Sequence, residues 1–140
     1  MSGKTTWRAL CHTEGMALVT VDSAELVISC AIKVHSATGP GLFESVYELC
    51  LTHELAKAGV KFRRQVLVPL IYDSIVISQA FRADFMIEDE LIVEVKSVDQ
   101  LTALHHRQML TYLKLTGLRK GLLLNFNAPR LKDGLKSVVA

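Results

Sequence analysis

The sequence predicts a single-domain α/β (α+β) sandwich, a central mixed sheet flanked by helices, in the order α-α-β-β-β-α-β. Three observations predict it. Two stretches of helical periodicity meet at Gly39-Pro40-Gly41. From Val60 to Lys96 apolar residues alternate as they do along strands. A third helical stretch then leads to the apolar run Gly121-Leu122-Leu123-Leu124-Asn125-Phe126, the pattern of a buried strand. A chain of 140 residues, half of them hydrophobic, forms one domain with a real core.

Residues 1–22 form an N-terminal extension with no clear period and no assigned role, and residues 23–140 form the domain. Up to about Thr20 the extension reads as a loose tail or an added strand. Asp22, with Glu25 three residues on, resembles a capping box. Val27, Cys30, Ala31 and Val34 follow at helical spacing, which predicts a helix from about Ser23 to Ala37. A second helix runs from about Leu42 to Ala58, with Phe43, Val46, Tyr47, Cys50, Leu51 and Leu55 on a broad buried face and Gly59 as its stop. Val66, Val68 and Leu70 then alternate along a strand in which Pro69 marks an edge or a bulge. Ile75-Val76-Ile77 is a short β-branched piece leading into a hairpin, Phe81–Ile87 and Leu91–Lys96, joined by Glu88-Asp89-Glu90. A third helix is expected from about Gln100 to Thr116, capped near Ser97 or Asp99 and stopped by Gly117. The run after Gly121 is expected to be the central strand, and Leu131 to Val139 a short final helix or strand.

The hairpin carries the chemistry. Alternation puts Phe81, Ala83, Phe85 and Ile87 on one face and Arg82, Asp84 and Met86 on the other, with Glu94 and Lys96 sharing a face of the second strand. Closure about Asp89 sets Asp84 opposite Glu94, and like charges so placed are destabilising. A divalent cation is the natural compensation, since hard cations take carboxylate oxygens. The second strand is apolar on both faces and so interior to the sheet, where charges need partners or a metal. The competing reading is an exposed salt-bridge ladder. Gln108 and Tyr112, four apart on the third helix, suggest the wall of a polar site. Glu44 suits the N-terminus of the second helix through the dipole, Tyr47 reads as core, and His35 closes the first helix. His105-His106 reads as a surface pair, while Arg63-Arg64 and Arg119-Lys120 are solvated pairs or phosphate contacts.

The net charge of +2 permits nucleic-acid binding without arguing for it. Cys11, Cys30 and Cys50 have no metal or disulfide spacing; Cys30 and Cys50 are expected as buried free thiols. No run is long enough to span a membrane, and the N-terminus makes a poor signal peptide, so a cytoplasmic protein is expected.

Val34-His35 and the stretch Gly39-Pro40-Gly41-Leu42-Phe43-Glu44-Ser45-Val46-Tyr47 resemble the signature of the bacterial GxxExxY protein family. Ala83-Asp84, Glu94-Val95-Lys96, Gln108 to Leu113 and Gly121 to Phe126 are similar to that family in order and spacing. The family in turn resembles the PD-(D/E)XK nuclease superfamily. The resemblance implies an αβββαβ restriction-endonuclease-like sandwich and a nuclease using Mg²⁺ or Mn²⁺ on nucleic acid, DNA being the expected substrate. It implies Asp84 and Glu94 as metal-binding acids with the Val95 backbone carbonyl, Lys96 as the catalytic lysine and Glu44 as a further acid or ligand. Gln108 and Tyr112 match its QxxxY element, and His35 and Tyr47 belong to its site support. Ala83 stands where the motif has proline. A homodimer is compatible with the reading. The alternatives are a non-cleaving nucleic-acid- or protein-binding module on the same fold, or an interaction domain whose acids and lysine form a salt-bridge network.

Overall fold

The computed structural model describes residues 4–8 and 18–140; Cys11 lies outside them. Strands β1 (Lys4–Arg8) and β2 (Leu18–Asp22) pair antiparallel as a separate ribbon. Asp22 then caps helix α1 (Ser23–Thr38), accepting a hydrogen bond from the Ala24 amide at 2.8 Å. Helix α2 (Glu44–Lys57) follows the Gly39-Pro40-Gly41 corner, where Gly39 and Gly41 have φ of 69° and 99°. Strands β3 (Phe62–Tyr72), β4 (Ile75–Ile87) and β5 (Leu91–Lys96) form an antiparallel meander. Helix α3 (Ala103–Thr116) crosses over to β6 (Lys120–Asn125), which pairs parallel to β5. A 3-10 turn (Leu131–Gly134) leads into β7 (Leu135–Val139), antiparallel to β6. The sheet order β3-β4-β5-β6-β7 makes β5 the central strand; β6, expected there, is its parallel neighbour.

Two cores flank the sheet. On one face the Val27, Ala31 and Val34 side of α1 and the Tyr47, Leu51 and Leu55 side of α2 cover Phe85, Ile87, Leu91, Val93, Val95, Leu122 and Leu124. On the other, Met109 and Leu113 of α3 cover Ala83, Met86, Ile92, Leu123 and Val138. Burying one such aliphatic side chain contributes about 1.5–3 kcal/mol, and the expected layering follows from having an apolar stripe on each helix.

The details differ where long-range packing overrides local pattern. The buried stripe of α2 is narrower than expected: Phe43 is 80% exposed, Val46 is exposed and Cys50 is half-buried. Helix α3 starts at Ala103, later than expected, because Thr102 and His105 close a reciprocal capping box. His105 is therefore a cap at the surface, and both His105 and His106 are half-buried. The short piece at Ile75 is the start of the long strand β4. Pro69 does mark an irregularity on the edge strand: the β3–β4 register shifts between Val68 and Leu70. Beyond it, Leu70–Tyr72 and Ile75–Ile77 form a two-stranded arm extending past β5, which pairs with β4 at Phe85, Met86 and Ile87.

Gly134 sits where a Cβ would run into the Asn125 carbonyl oxygen and the Ala128 side chain. Backbone cannot swing aside as a side chain can, so Gly134→Ala is expected to cost about 1–3 kcal/mol by overpacking. Thermal denaturation followed by circular dichroism should show the lowered midpoint; an unchanged midpoint would mean that the turn relaxes freely.

Candidate functional site

The hairpin closes as its symmetry requires. Phe85 pairs with Val93, Met86 with Ile92 and Ile87 with Leu91, across a turn in which Glu88 and Asp89 both take φ of 54°. The same register continued would set Asp84 opposite Glu94, but the backbone ladder stops at Phe85. The Asp84 carboxylate takes over, its Oδ2 accepting from the Val95 amide at 2.9 Å. Across the other edge, the β3 residue facing Asp84 is Gln65, whose φ of 50° is left-handed in the middle of a strand. These two features interrupt the pleat. Phe85 and Ile87 lie in the core under α1 and α2, whereas Phe81 and Ala83 join the α3 core instead of sharing their face as alternation predicts.

Asp84 and Glu94 lie within hydrogen-bonding reach of each other on the α3 face, a contact that needs a shared proton. Glu94 is 7% exposed, and its Oε1 is buried without a hydrogen-bond partner. Burial, reinforced by the neighbouring Asp84 charge, pushes the Glu94 carboxyl up to about 9. Burial also raises Asp84, against the opposing effect of the Val95 amide bond. Lys96 follows on the same face, half-buried, and its charge favours ionisation of both acids. Tyr112 stacks on Phe81, ring centres 3.9 Å apart and 6° from parallel. Its hydroxyl is raised first by burial and then by the Glu94 and Asp84 charges, which places it in the field of the acids. Gln108 lies one helical turn away from Tyr112 on α3 and is half-buried.

The other expected residues lie apart from the pair. Glu44 Oε2 accepts from the Ser97 amide at 3.2 Å, while Ser97 Oγ donates to the Leu42 carbonyl at 2.7 Å. Glu44 thus ties the start of α2 to the chain just after Lys96. Tyr47 donates to the Gly39 carbonyl at 2.6 Å, accepts from the Leu42 amide at 3.1 Å and stacks on Phe126. His35 Nε2 meets the Ala128 carbonyl at 2.8 Å. Both residues fix the helical corner against the end of β6, on the face opposite α3.

An acid not anticipated from the sequence comes closer. Glu48, one turn beyond Glu44 and buried, holds Arg64 at 3.1 Å and also accepts from Gln65 Nε2, which reaches Asp84 Oδ1 at 3.5 Å. The Glu48 charge acts on Asp84. Its signal was available: it stands between Tyr47 and Leu51 on the inward side of α2. Among the described residues no three His, Cys, Asp or Glu side chains gather into a metal cluster. Two adjoining carboxyls, one with an unpartnered buried oxygen, nevertheless form the oxygen-rich, charge-deficient setting that suits a hard divalent cation.

Comparison with known proteins agrees with the fold. The family description "PD-(D/E)XK nuclease superfamily" matches residues 21–138. The crystal structure of SSO0001 superposes with a TM-score of 0.53 at 23% identity, over 68% of this chain and 48% of that one, so this chain spans about half its length. That likeness concerns the fold alone. Comparison with curated proteins finds no match.

Proposed function

The chain belongs to the PD-(D/E)XK nuclease superfamily, and on that premise we propose that it is a metal-dependent nuclease hydrolysing phosphodiester bonds, with DNA as substrate. The observation that carries the reading is the Asp84–Glu94 pair: two carboxyl groups held together at an interior strand, with Glu94 Oε1 lacking a hydrogen-bond partner among the described residues. A fold with no use for that pair would be more stable without it. Asp84, Glu94 and the Val95 carbonyl would hold Mg²⁺ or Mn²⁺. When bound, such an ion supplies Lewis acidity toward a phosphodiester oxygen and makes water a stronger nucleophile.

The chain's own residues do the rest. The Val95 amide and Gln65 fix the rotamer of Asp84. Lys96, on the same face, orients the attacking water and offsets charge building on the phosphate. Tyr112, fixed by its stack on Phe81, walls the acids on the α3 side. Glu48 stands behind Asp84 as a further acid, with Arg64 balancing it. Glu44 supports the loop after Lys96 through Ser97. No helix among the described residues is long and apolar enough to cross a membrane, and we place the protein in the cytoplasm.

Purified protein incubated with supercoiled, linear duplex and single-stranded DNA, and with RNA, should cleave DNA in Mn²⁺ or Mg²⁺ and not in EDTA. Asp84→Ala should be inactive. Cleavage undiminished in that variant would sink the assignment. Binding of DNA without turnover in any metal would favour a non-cleaving module on the same fold.

A further inference from the structure

The β3–β4 arm carries apolar surface that the described residues leave exposed. Leu70 faces Ile77, Ile71 faces Val76 and Tyr72 faces Ile75. Directly opposed residues share a face and successive pairs alternate, so both faces of the ribbon are apolar. Ile71 is 71% exposed, Val76 68% and Tyr72 67%, and Leu67, Ile75 and Ile77 are also exposed. From Val66 to Phe81 the only charged residue is Asp73, at the turn. The outer edge of β4 from Ile75 to Asp84 pairs with no described strand, because the ladder to β5 begins at Phe85. Free edges normally carry charges or prolines that block pairing. Pro69 serves that purpose on β3, and the free edge of β4 has only Arg82 and Asp84, both near its root.

We infer that this arm is the interface through which two copies of the chain associate, edge of β4 to edge of β4 about a two-fold axis. Three features select a second copy. An unpaired antiparallel edge is complementary to itself, so one patch serves both partners and the contact leaves free only the outer edge of β3, which Pro69 interrupts. Edge pairing sets the exposed Ile75, Val76 and Ile77 of one copy beside the same strand of the other, so that apolar cross-strand neighbours meet on both faces of the joined ribbon. The arm between Val66 and Ala80 lacks the positive charge that phosphate or an anionic membrane surface would require. The inference does not depend on the chemistry of the acid pair. Because β4 runs directly from the arm to Asp84, the interface begins beside the candidate site.

Sedimentation equilibrium of the full chain should give about twice the 15.5 kDa chain mass at micromolar concentration. The Ile71→Lys/Val76→Lys pair, which charges one face of the ribbon, should sediment as a monomer with an unchanged far-UV spectrum. If it fails to fold, the milder Ile71→Thr/Val76→Thr pair should weaken association at least tenfold. A wild-type monomer up to about 100 µM, dimers unaffected by the substitutions, or a monomer that instead co-sediments with neutral vesicles through this arm would each overturn the proposal.

Discussion

Replacing Glu94 with Gln is expected to slow metal-dependent cleavage by roughly a thousandfold while raising the melting temperature of the metal-free protein. The two effects share one cause. Glu94 is buried, lies beside Asp84 and has an oxygen with no partner. Those are costs to the fold and assets to a cation. Loss of an aimed electrostatic contact to a developing charge costs about 10²–10³ in rate, and loss of an ion's ligand at least as much. Gln keeps the shape, carries no charge, and its amide can donate to Asp84. Gln removes the cost of protonating Glu94 on folding at neutral pH, expected to be worth about 1–2 kcal/mol, a rise of roughly 2–8 °C for a chain of this size. Initial rates on labelled duplex in Mn²⁺, with melting curves in EDTA, test both parts. A variant that is less stable in EDTA and still active would mean that the carboxyl is structural.

Without metal, the protein is expected to lose stability as pH rises from about 5 to about 9. The ordinary Glu value of 4.5 applies to the unfolded chain, and the folded value lies near 9. Below the first pH both states hold the proton, and the contribution to stability is complete. Between the two, the unfolded chain releases the proton while the folded chain retains it, so rising pH favours unfolding. The slope approaches about 1.4 kcal/mol per pH unit before it levels off near the folded value. Asp84 is shifted in the same direction and adds to the low end of the window. Urea midpoints measured from pH 5 to 9 in EDTA should fall, and the fall should be shallower in Glu94→Gln. Saturating Mg²⁺ or Mn²⁺ should restore stability most at high pH, where the cation no longer competes with the proton. A midpoint that climbs steadily with pH in EDTA would show Glu94 to be ionised in the metal-free fold.

The sequence made the pair legible because the two acids are brought together locally. A hairpin closing on Asp89 needs only its turn and its alternating pattern to set Asp84 against Glu94. Helices α1 and α2 were legible for a similar reason: Asp22, the Gly-Pro-Gly corner and the stripe through Tyr47, Leu51 and Leu55 all act within a few residues. The expected nuclease superfamily was also recovered by comparison. What stayed hidden depends on residues distant in sequence. Glu48 becomes part of the site because Arg64 and Gln65 arrive from β3. Phe43 reads as core by spacing and ends up exposed, because it stands before the first turn of α2 in extended backbone and so falls outside the helical stripe. The slip in the pleat of β4 follows from the backbone of Gln65 and from a side chain replacing main chain at Val95. Alternation cannot register either.

The parallel pairing of β5 with β6 also sets an order of assembly. The acids are ten residues apart and meet as soon as the hairpin turns. Tyr112 and the rest of α3 arrive only after the crossover brings β6 alongside β5, a contact that must first overcome the closure entropy of a longer loop. While the hairpin stands in water, the repulsion between the two carboxylates is screened to about 1 kcal/mol. It grows when the helix docks and water leaves. The chain therefore joins its like charges early, when doing so is cheap, and encounters the main electrostatic barrier last, at the step where a proton or a cation can be taken up to lower it.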